Sequence, residues 1–288
     1  MSTSTTATPG IHPTARIHPT ARIDPSSSIG ENAIIGMDVI VGPECVIGPG
    51  TRLRDRSIVV EHTTMGRNND VHPYAVIGGD PQDLAFRQDM RGSLEIGDGN
   101  VFREHVTLNR STHNGPATRV GSRCFLMTNA HVGHNARLGD GVIMANGASL
   151  AGHAHVGDRC VLSAYVTVHQ FTTVGDAVMF QGHSGVSMHV PPFVMVASEN
   201  TIVALNKVGL RRHPTLTDED RAGIKDAFRA IYRRPSGQPI GAALRIVREK
   251  NLAPGAEAFV SFIEREIDAE APRDRGICGG VRRHRHRD

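Results

Sequence analysis

The sequence predicts a β-solenoid, a parallel β-helix of hexapeptide repeats, followed by a small C-terminal α-helical domain. Three observations lead to this fold. Aliphatic residues recur at every sixth position through most of the first 190 residues, and glycine often follows them directly. The chain has no Trp and only 4% aromatic residues, but it contains 31 Gly. A core of stacked small and branched side chains suits such a repeating chain better than an ordinary globular core does.

The six-residue spacing identifies the repeating element. The register positions run in three blocks, from Ile11 to Ile77, from Ile96 to Leu108 and from Val120 to Val186. A helix would require apolar spacings of three and four, and a half-buried strand a spacing of two. A spacing of six fits a short strand followed by a turn, so three repeats form one coil and coils stack about 4.8 Å apart. The two interruptions predict loops at 78–95 and 109–119.

The change of pattern along the chain predicts four segments. A disordered leader at 1–10 precedes a β-helix at 11–192. Segment 193–270 has helical spacing, and Thr217 is a candidate N-cap followed by three acidic residues. Its three helices are predicted from Ile224, Phe228 and Ile231, from Ala243, Leu244 and Val247, and from Phe259, Phe262, Ile263 and Ile267. The Arg- and His-rich segment 271–288 predicts a solvated, disordered tail, and a nucleic-acid-binding arm is the less favoured alternative.

Composition excludes several classes of protein. The net charge is only +3, and no apolar run approaches the roughly 20 residues that cross a bilayer. The N-terminus lacks the basic and apolar regions of a secretory signal. The four cysteines are scattered without a C-x-x-C pair, which predicts free thiols in the reducing cytoplasm: Cys45, Cys124, Cys160 and Cys278.

The repeat also predicts a strip of polar side chains along one edge. Residues that are 18 apart lie above one another, so Gly152 lies above His134 and Gln170 lies above Gly152. His153 lies one coil up and one residue along from His134. Two further imidazoles, His131 and His169, complete the strip.

The strip has three interpretations. Each histidine could be an ordinary exposed corner residue. Three imidazoles could instead bind Zn²⁺, as in γ-class carbonic anhydrases, which share this architecture. The third interpretation is general-base catalysis, in which neutral His134 accepts a proton and the backbone N–H of Gly152 stabilises an oxyanion.

Several ordered motifs carry a resemblance that covers about residues 10 to 235. They are P-Q-D-L at 81–84, R-E-H-V-T-L-N-R at 103–110, N-A-H-V-G-H at 129–134, L-A-G-H at 150–153, V-H-Q-F at 168–171, V-P-P-F-V at 190–194 and G-L-R-R at 209–212. With these motifs the chain resembles the acyl-[acyl-carrier-protein]–UDP-N-acetylglucosamine O-acyltransferases, which begin lipid A synthesis. The ordered set is far more specific than the hexapeptides, which many acyltransferases share.

The resemblance implies a left-handed β-helix, a cytoplasmic homotrimer with active sites between subunits, and no metal or redox cofactor. The donor is the acyl-phosphopantetheine of acyl carrier protein, and the acceptor is a UDP-sugar. His134 is then the base that deprotonates the sugar 3-hydroxyl, with Gly152 as the oxyanion donor. Further positions match family residues: Asp83, His131, His153, His169 and Gln170 near the substrate, Gly182 at the floor of the acyl groove, and Asn206 and Arg212 toward the nucleotide. Four arginines are candidates for contacting the acidic carrier protein: Arg103, Arg110, Arg211 and Arg212.

Some positions depart from the family pattern. Asn135 replaces the usual Asp after the catalytic His, and an amide stabilises an imidazolium less than a carboxylate does. Ala85 replaces a Lys, with Arg87 nearby, while Val208 and His213 replace a Glu and a basic residue. The segment between Val194 and Asn206 is also a residue shorter than usual. These changes leave O- or N-acylation of another UDP-amino sugar as an alternative, beside a zinc protein and a non-catalytic scaffold.

Overall fold

The protein is a left-handed parallel β-helix with a helical domain at its C-terminal end. A computed structural model describes residues 9–113, 115–233 and 238–280. Most hexapeptides contribute one short strand that ends on the register residue, whose side chain faces the interior. The strands Val76–Gly79 and Thr107–Asn109 continue past their register residues into the two loops. The predicted fold class is confirmed.

Three sheets form the faces of the β-helix. The first contains Gly10–Ile11, Ser28–Ile29, Val46–Ile47, Thr63–Met65, Leu94–Ile96, Thr118–Val120, Arg137–Leu138, His155–Val156 and Thr173–Val174. The second contains Arg16–Ile17, Ile34–Ile35, Arg52–Leu53, Asp70–Val71, Val101–Phe102, Phe125–Leu126, Ile143–Met144, Val161–Leu162, Met179–Phe180, Val194–Ala197, Thr201–Leu205 and Gly279–Gly280. The third contains Arg22–Ile23, Ile40–Val41, Ile58–Val59, Val76–Gly79, Thr107–Asn109, His131–Val132, Ser149–Leu150, Thr167–Val168 and Gly185–Val186.

The register between coils follows the sequence repeat. His131 pairs with Ser149, and Val132 pairs with Leu150, so partners are 18 residues apart in this part of the helix. Val132 and Leu150 are fully buried, as the register predicts. Ile11 is 53% exposed because it lies in the first described coil, at the edge of its sheet.

One corner of the helix carries a column of residues with left-handed backbone. Asn135, His153 and Phe171 have φ values of 59°, 59° and 61°. This conformation costs an L-residue on the order of 1 kcal/mol, so the repeated turn geometry must impose it. The column places each preceding residue, including His134 and Gly152, on the outer edge of its coil.

Four helices occur among the described residues: α1 (Lys207–Arg212), α2 (Asp218–Tyr232), α3 (Ile240–Arg248) and α4 (Pro254–Ile267). The predicted cap is confirmed, because Thr217 Oγ1 accepts from the N–H of Asp220 at 3.1 Å and Asp220 Oδ2 accepts from the N–H of Thr217 at 2.9 Å. The predicted apolar faces are buried, except that Ile267 remains 39% exposed. None of these helices is long and apolar enough to span a bilayer.

The segment boundaries differ from the predicted ones. The hairpin Val194–Ala197 and Thr201–Leu205 extends the second sheet, so the helices begin at Lys207 rather than at 193. Both loops are a few residues shorter than predicted, because their ends join the flanking strands. The predicted leader begins to pair at Gly10, and its first eight residues lie outside the described chain.

The prediction of a disordered tail is wrong for its first part. Gly279–Gly280 pairs with Thr201–Leu205, and Cys278 is fully buried. The N–H of Cys278 donates to the carbonyl of His189, whose own N–H donates to Gly276. Charge composition could not reveal this backbone pairing. Residues 281–288 of the predicted tail lie outside the described chain.

All four cysteines are free and buried, as the absence of cysteine pairs predicted. Burial raises the pKa of the Cys45 and Cys124 thiols to about 11. These thiols therefore act as small apolar core groups.

Candidate active site

A groove of about 830 Å³ follows the outer edge of the third sheet. Its walls are built from columns of residues 18 apart: His131, Ser149, Thr167 and Gly185; Ala151, His169 and Ser187; His134, Gly152 and Gln170. The structure therefore brings five predicted site residues together in this groove: His131, His134, Gly152, His169 and Gln170.

His134 and Gly152 are in direct contact. A Cβ placed on Gly152 would lie 2.6 Å from both Nε2 and Cε1 of His134. Real Cβ atoms do not approach so closely, so the imidazole fills the space that a side chain at 152 would need. The stacking of Gly152 above His134 that the repeat predicted is confirmed, and Nε2 faces the backbone of the next coil.

The N–H of Gly152 has no hydrogen-bond partner among the described residues, although its neighbours do. The N–H of Ala151 donates to Val168, and the N–H of His153 donates to His134. A backbone N–H at a groove wall can donate to a ligand oxygen, and a developing oxyanion gains most from such a donor. The groove thus contains a potential proton acceptor and a free donor in adjacent coils.

The other side of the His134 ring contacts Asn135. Nδ1 lies 3.0 Å from Asn135 Oδ1, and because an amide oxygen only accepts, Nδ1 carries the proton. Nε2 then keeps its lone pair toward the groove. The same Oδ1 accepts from the backbone N–H of Thr112 at 3.2 Å.

Asp83 approaches His134 from the first loop. Its Oδ2 lies 4.0 Å from His134 Nε2, and its side chain is 35% exposed. At this distance the carboxylate lies near the ring but does not form a direct hydrogen bond with it. Asp83 also accepts from the N–H of Ala85 at 2.9 Å, which orders the loop locally.

Arg110 anchors this loop and is not available to a partner. Its side chain is only 1% exposed and forms ion pairs of 2.5 Å with Glu61 and with Asp80. Its guanidinium also lies 5.5 Å above the Phe86 ring. The expectation that Arg110 contacts a carrier protein is therefore wrong, because the loop covers its charge.

His131 and His153 flank His134 and resist protonation. Burial, then the nearby His134, lowers the pKa of His131, whose Nδ1 lies 2.8 Å from Thr107 Oγ1. Burial and His134 likewise lower the pKa of His153, although Asp83 partly opposes this. His153 meets the His134 ring edge-on at 5.4 Å and stacks on Phe171 at 4.7 Å. Both neighbours therefore stay neutral near pH 7.

Three predicted residues lie apart from the groove wall. Gly182 is exposed, and a Cβ there would meet only Ala164 O at 3.5 Å. Asn206 caps α1, because its Oδ1 accepts from Gly209 N–H at 2.9 Å and its amide donates to Ala177 O at 2.8 Å. Arg212 is exposed at the end of α1. Within one chain these three positions do not converge on His134.

Sequence reasoning missed several residues of the site. Ser149, Thr167 and Gly185 line the groove and could have been found by stepping 18 residues from His131. Gln82 precedes Asp83 in a quoted motif. Thr112 carried no periodic signal, because it lies in the second loop.

The zinc interpretation requires converging ligands. Within residues 9–113, 115–233 and 238–280, no group of three or more His, Cys, Asp or Glu side chains is arranged to hold a metal ion. His131, His134 and His153 instead engage Thr107, Asn135 and Phe171.

Comparison with known proteins identifies the family. Residues 117–152 match a family described as bacterial transferase hexapeptide (six repeats), and residues 189–278 match one described as UDP N-acetylglucosamine O-acyltransferase, domain 2. The second match extends to Cys278, so the family model includes the segment that packs beside His189 in the structure.

Relatives named acyl-[acyl-carrier-protein]–UDP-N-acetylglucosamine O-acyltransferase match most of the chain. The one from Synechocystis sp. is 38% identical over 72% of this chain and 75% of its own. The one from Anaeromyxobacter sp. is 39% identical over 70% of this chain and 78% of its own.

Solved structures of UDP-N-acetylglucosamine acyltransferases match in fold. The one from Francisella novicida has a TM-score of 0.78 at 31% identity and covers 95% of each chain. The one from Bacteroides fragilis has a TM-score of 0.78 at 35% identity over 94% of this chain and 99% of that one. This protein therefore belongs to the acyl-[acyl-carrier-protein]–UDP-N-acetylglucosamine O-acyltransferase family.

Proposed function

We propose that the protein transfers an acyl chain from acyl carrier protein to the 3-hydroxyl of UDP-N-acetylglucosamine, the first step of lipid A biosynthesis, with His134 as general base. The observation that carries this proposal is the contact between Gly152 and the Nε2 edge of the His134 ring. It brings a proton acceptor and a backbone N–H donor to one place in the groove. Acyl transfer to a hydroxyl needs both groups.

The chemistry follows from these two groups. His134 Nε2 removes the proton of the sugar hydroxyl, and the hydroxyl oxygen attacks the carbonyl carbon of the thioester. The new C–O bond gives a tetrahedral intermediate, whose oxyanion accepts from the N–H of Gly152. The C–S bond then breaks, and the imidazolium donates its proton to the departing sulfur, which leaves as the thiol of the phosphopantetheine. Asp83 stabilises the imidazolium between the two steps, since its carboxylate lies 4.0 Å from Nε2.

Other side chains around the base would bind the substrates. His131 and His153 are held neutral, so His134 is the one that takes the proton. His169 and Gln170 are exposed in the groove wall and can donate to or accept from sugar and amide groups. Asn206 and Arg212 are proposed to act toward the nucleotide, and Gly182 at the acyl groove, in a site shared between subunits.

The proposed assembly is a cytoplasmic homotrimer with active sites between subunits. Support comes from the separation of Gly182, Asn206 and Arg212 from the groove of a single chain. Arg103 and Arg211 remain candidates, with Arg212, for contacts to the acidic carrier protein, because all three are at least partly exposed. Electrostatic attraction of this kind raises the association rate. Light scattering of the purified protein measures the proposed trimer.

A second candidate acceptor, an amino analogue of the UDP-sugar, is suggested by residues near the site that differ from those implied by the family resemblance. Asn135 and Ala85 stand where the resemblance implies Asp and Lys. His213 lies 2.7 Å from Arg159 and does not offer a free cation. An amino analogue of the UDP-sugar would be acylated with the same base. The assay therefore includes both the hydroxyl and the amino acceptor.

The test incubates the protein with carrier thioesters of several chain lengths and either acceptor. We expect an O-acylated product with at least one chain length, and His134→Ala should lower the rate about 1,000-fold. His18→Ala, in an early coil, is the control. We propose that no metal or redox cofactor takes part, so metal chelation should leave the rate unchanged. Product with the amino acceptor alone would favour the second acceptor over the first, and absence of product with both would refute acyl transfer to either.

A further inference from the structure

The orientation of the Asn135 side-chain amide determines which ring nitrogen of His134 carries the proton. Asn135 is fixed at its corner, with φ of 59° and its N–H donating to Thr118 Oγ1 at 2.7 Å. Its side chain carries an acceptor on one arm and a donor on the other. If the oxygen faces His134, Nδ1 holds the proton and Nε2 is free to act as base. If the NH₂ faces His134, Nδ1 must accept and Nε2 is protonated.

A carboxylate at this position would present an acceptor to Nδ1 in either orientation, because both of its oxygens accept hydrogen bonds. An amide at position 135 therefore requires a group that selects one orientation. Thr112 meets that need. Its backbone N–H, which can only donate, lies 3.2 Å from Asn135 Oδ1, and its Oγ1 lies 3.1 Å from the same atom.

We propose that Thr112 is a positioning residue whose hydroxyl, beside its backbone N–H, biases the Asn135 amide toward this orientation and thereby the His134 ring toward the Nδ1–H tautomer. Two donors of one residue converge on Oδ1, so the flipped amide would bring its NH₂ against an N–H. The hydroxyl can also accept from His113 Nδ1, which lies 2.8 Å away, while it donates to Asn135. Thr112 thus acts on the base through Asn135, without contacting the groove.

The inference rests on the proposed role of His134 as base, but its main test needs no substrate. ¹⁵N-histidine NMR at about pH 8.5, where a free imidazole is neutral, reports the tautomer of each ring. His134 is assigned by comparison with His134→Gln. We expect the Nδ1–H form in the parent, a larger Nε2–H fraction in Thr112→Val, and the parent pattern in Thr112→Ser. Thr112→Val keeps the backbone N–H and removes only the hydroxyl, so an unchanged tautomer in this variant would overturn the proposed role of the hydroxyl.

A double-mutant cycle separates orientation from simple packing. In the parent, Thr112→Val should lower kcat about three- to tenfold with little change in KM, in keeping with one lost neutral hydrogen bond. In an Asn135→Asp background the same substitution should change kcat less than about twofold, since a carboxylate has no wrong orientation. Equal losses in both backgrounds would assign Thr112 a merely structural role and overturn the proposal. If the tautomer shifts but no variant transfers acyl groups, the proposed function fails and the positioning role stands.

Discussion

The imidazole of His134 occupies the space where a side chain at Gly152 would lie. The atoms nearest to a Cβ at position 152 are Cε1 and Nε2 of that ring, both at 2.6 Å. Glycine is therefore required here by the approach of the base rather than by the turn.

Gly152→Ala should consequently impair catalysis far more than folding. The imidazole can swing away from the methyl group, but Nε2 then leaves its position beside the Gly152 N–H. A displacement on the order of 1 Å costs about 100-fold in rate, and we expect at least that loss in kcat. Thermal unfolding and steady-state kinetics measure the two effects.

The matched control is Gly241→Ala in α3, where a Cβ would meet no atom within 4 Å. It should leave kcat unchanged and keep or slightly raise the melting temperature, because alanine favours helix. Full activity in Gly152→Ala would show that the ring does not need its observed position.

Arg110 should matter both for stability and for the position of Asp83. Arg110→Met removes the ion pairs with Glu61 and Asp80, whose side chains are 30% and 48% exposed and can be hydrated, so we expect a loss of about 1–3 kcal/mol. The loop that carries Asp83 should loosen, so kcat should fall as well. Urea unfolding and kinetics at one protein concentration test both expectations.

Arg87→Met is the control within the same loop. Arg87 and Asp89 form an ion pair whose side chains are 68% and 70% exposed, and such a pair contributes about 0–1 kcal/mol. The free energy of unfolding should hardly change. If both variants behaved alike, burial of Arg110 would not be the reason for its effect.

His155 should make the fold sensitive to acid. Burial, followed by the nearby Arg137 and Arg273, lowers the pKa of His155 to about 4. The unfolded chain, with a pKa of about 6.5, takes up a proton first as the pH falls, so the native state loses stability between about pH 6.5 and 4. The loss from this group should be on the order of 1–3 kcal/mol.

Urea unfolding of the parent and of His155→Gln at several pH values measures this contribution. The variant should show a shallower decline in the free energy of unfolding toward acid. His18→Gln, an exposed histidine, is the control and should follow the parent. A parallel decline in all three proteins would assign the acid sensitivity to other groups.

The segment after Pro272 should stabilise the end of the solenoid. His189 is fully buried, and its Nε2–H donates to the carbonyl of Arg273 at 2.7 Å. The Arg273 side chain also pairs at 2.7 Å with Glu266, which is 1% exposed. Removing residues 273–288 leaves the buried Nε2–H of His189 without its acceptor, which costs about 1–3 kcal/mol. Glu266 loses one of its two arginine partners but keeps Arg265 at 3.0 Å.

We therefore expect a clear fall in the melting temperature of this truncated protein. Truncation after Gly280 keeps the contacts described above and is the comparison. If the protein lacking residues 273–288 melted like the one truncated after Gly280, residues 273–280 would contribute nothing to the stability of the β-helix.

The sequence alone was sufficient for the repetitive part of the protein. A six-residue period places every register side chain inside a coil, and an 18-residue coil places Gly152 over His134 without any knowledge of coordinates. Such inferences succeed because contacts in a solenoid join neighbouring coils at a constant separation in sequence. The cap at Thr217 was likewise readable, since it depends on residues three apart.

The tertiary structure decided what lies outside the repeat. The burial of Arg110 depends on a loop that folds back over it, and the contact of Thr112 with Asn135 joins residues 23 apart across an irregular loop. The docking of Cys278 beside His189 spans an even longer separation. Non-periodic contacts of this kind are set by packing and loop closure, so no local pattern in the sequence records them.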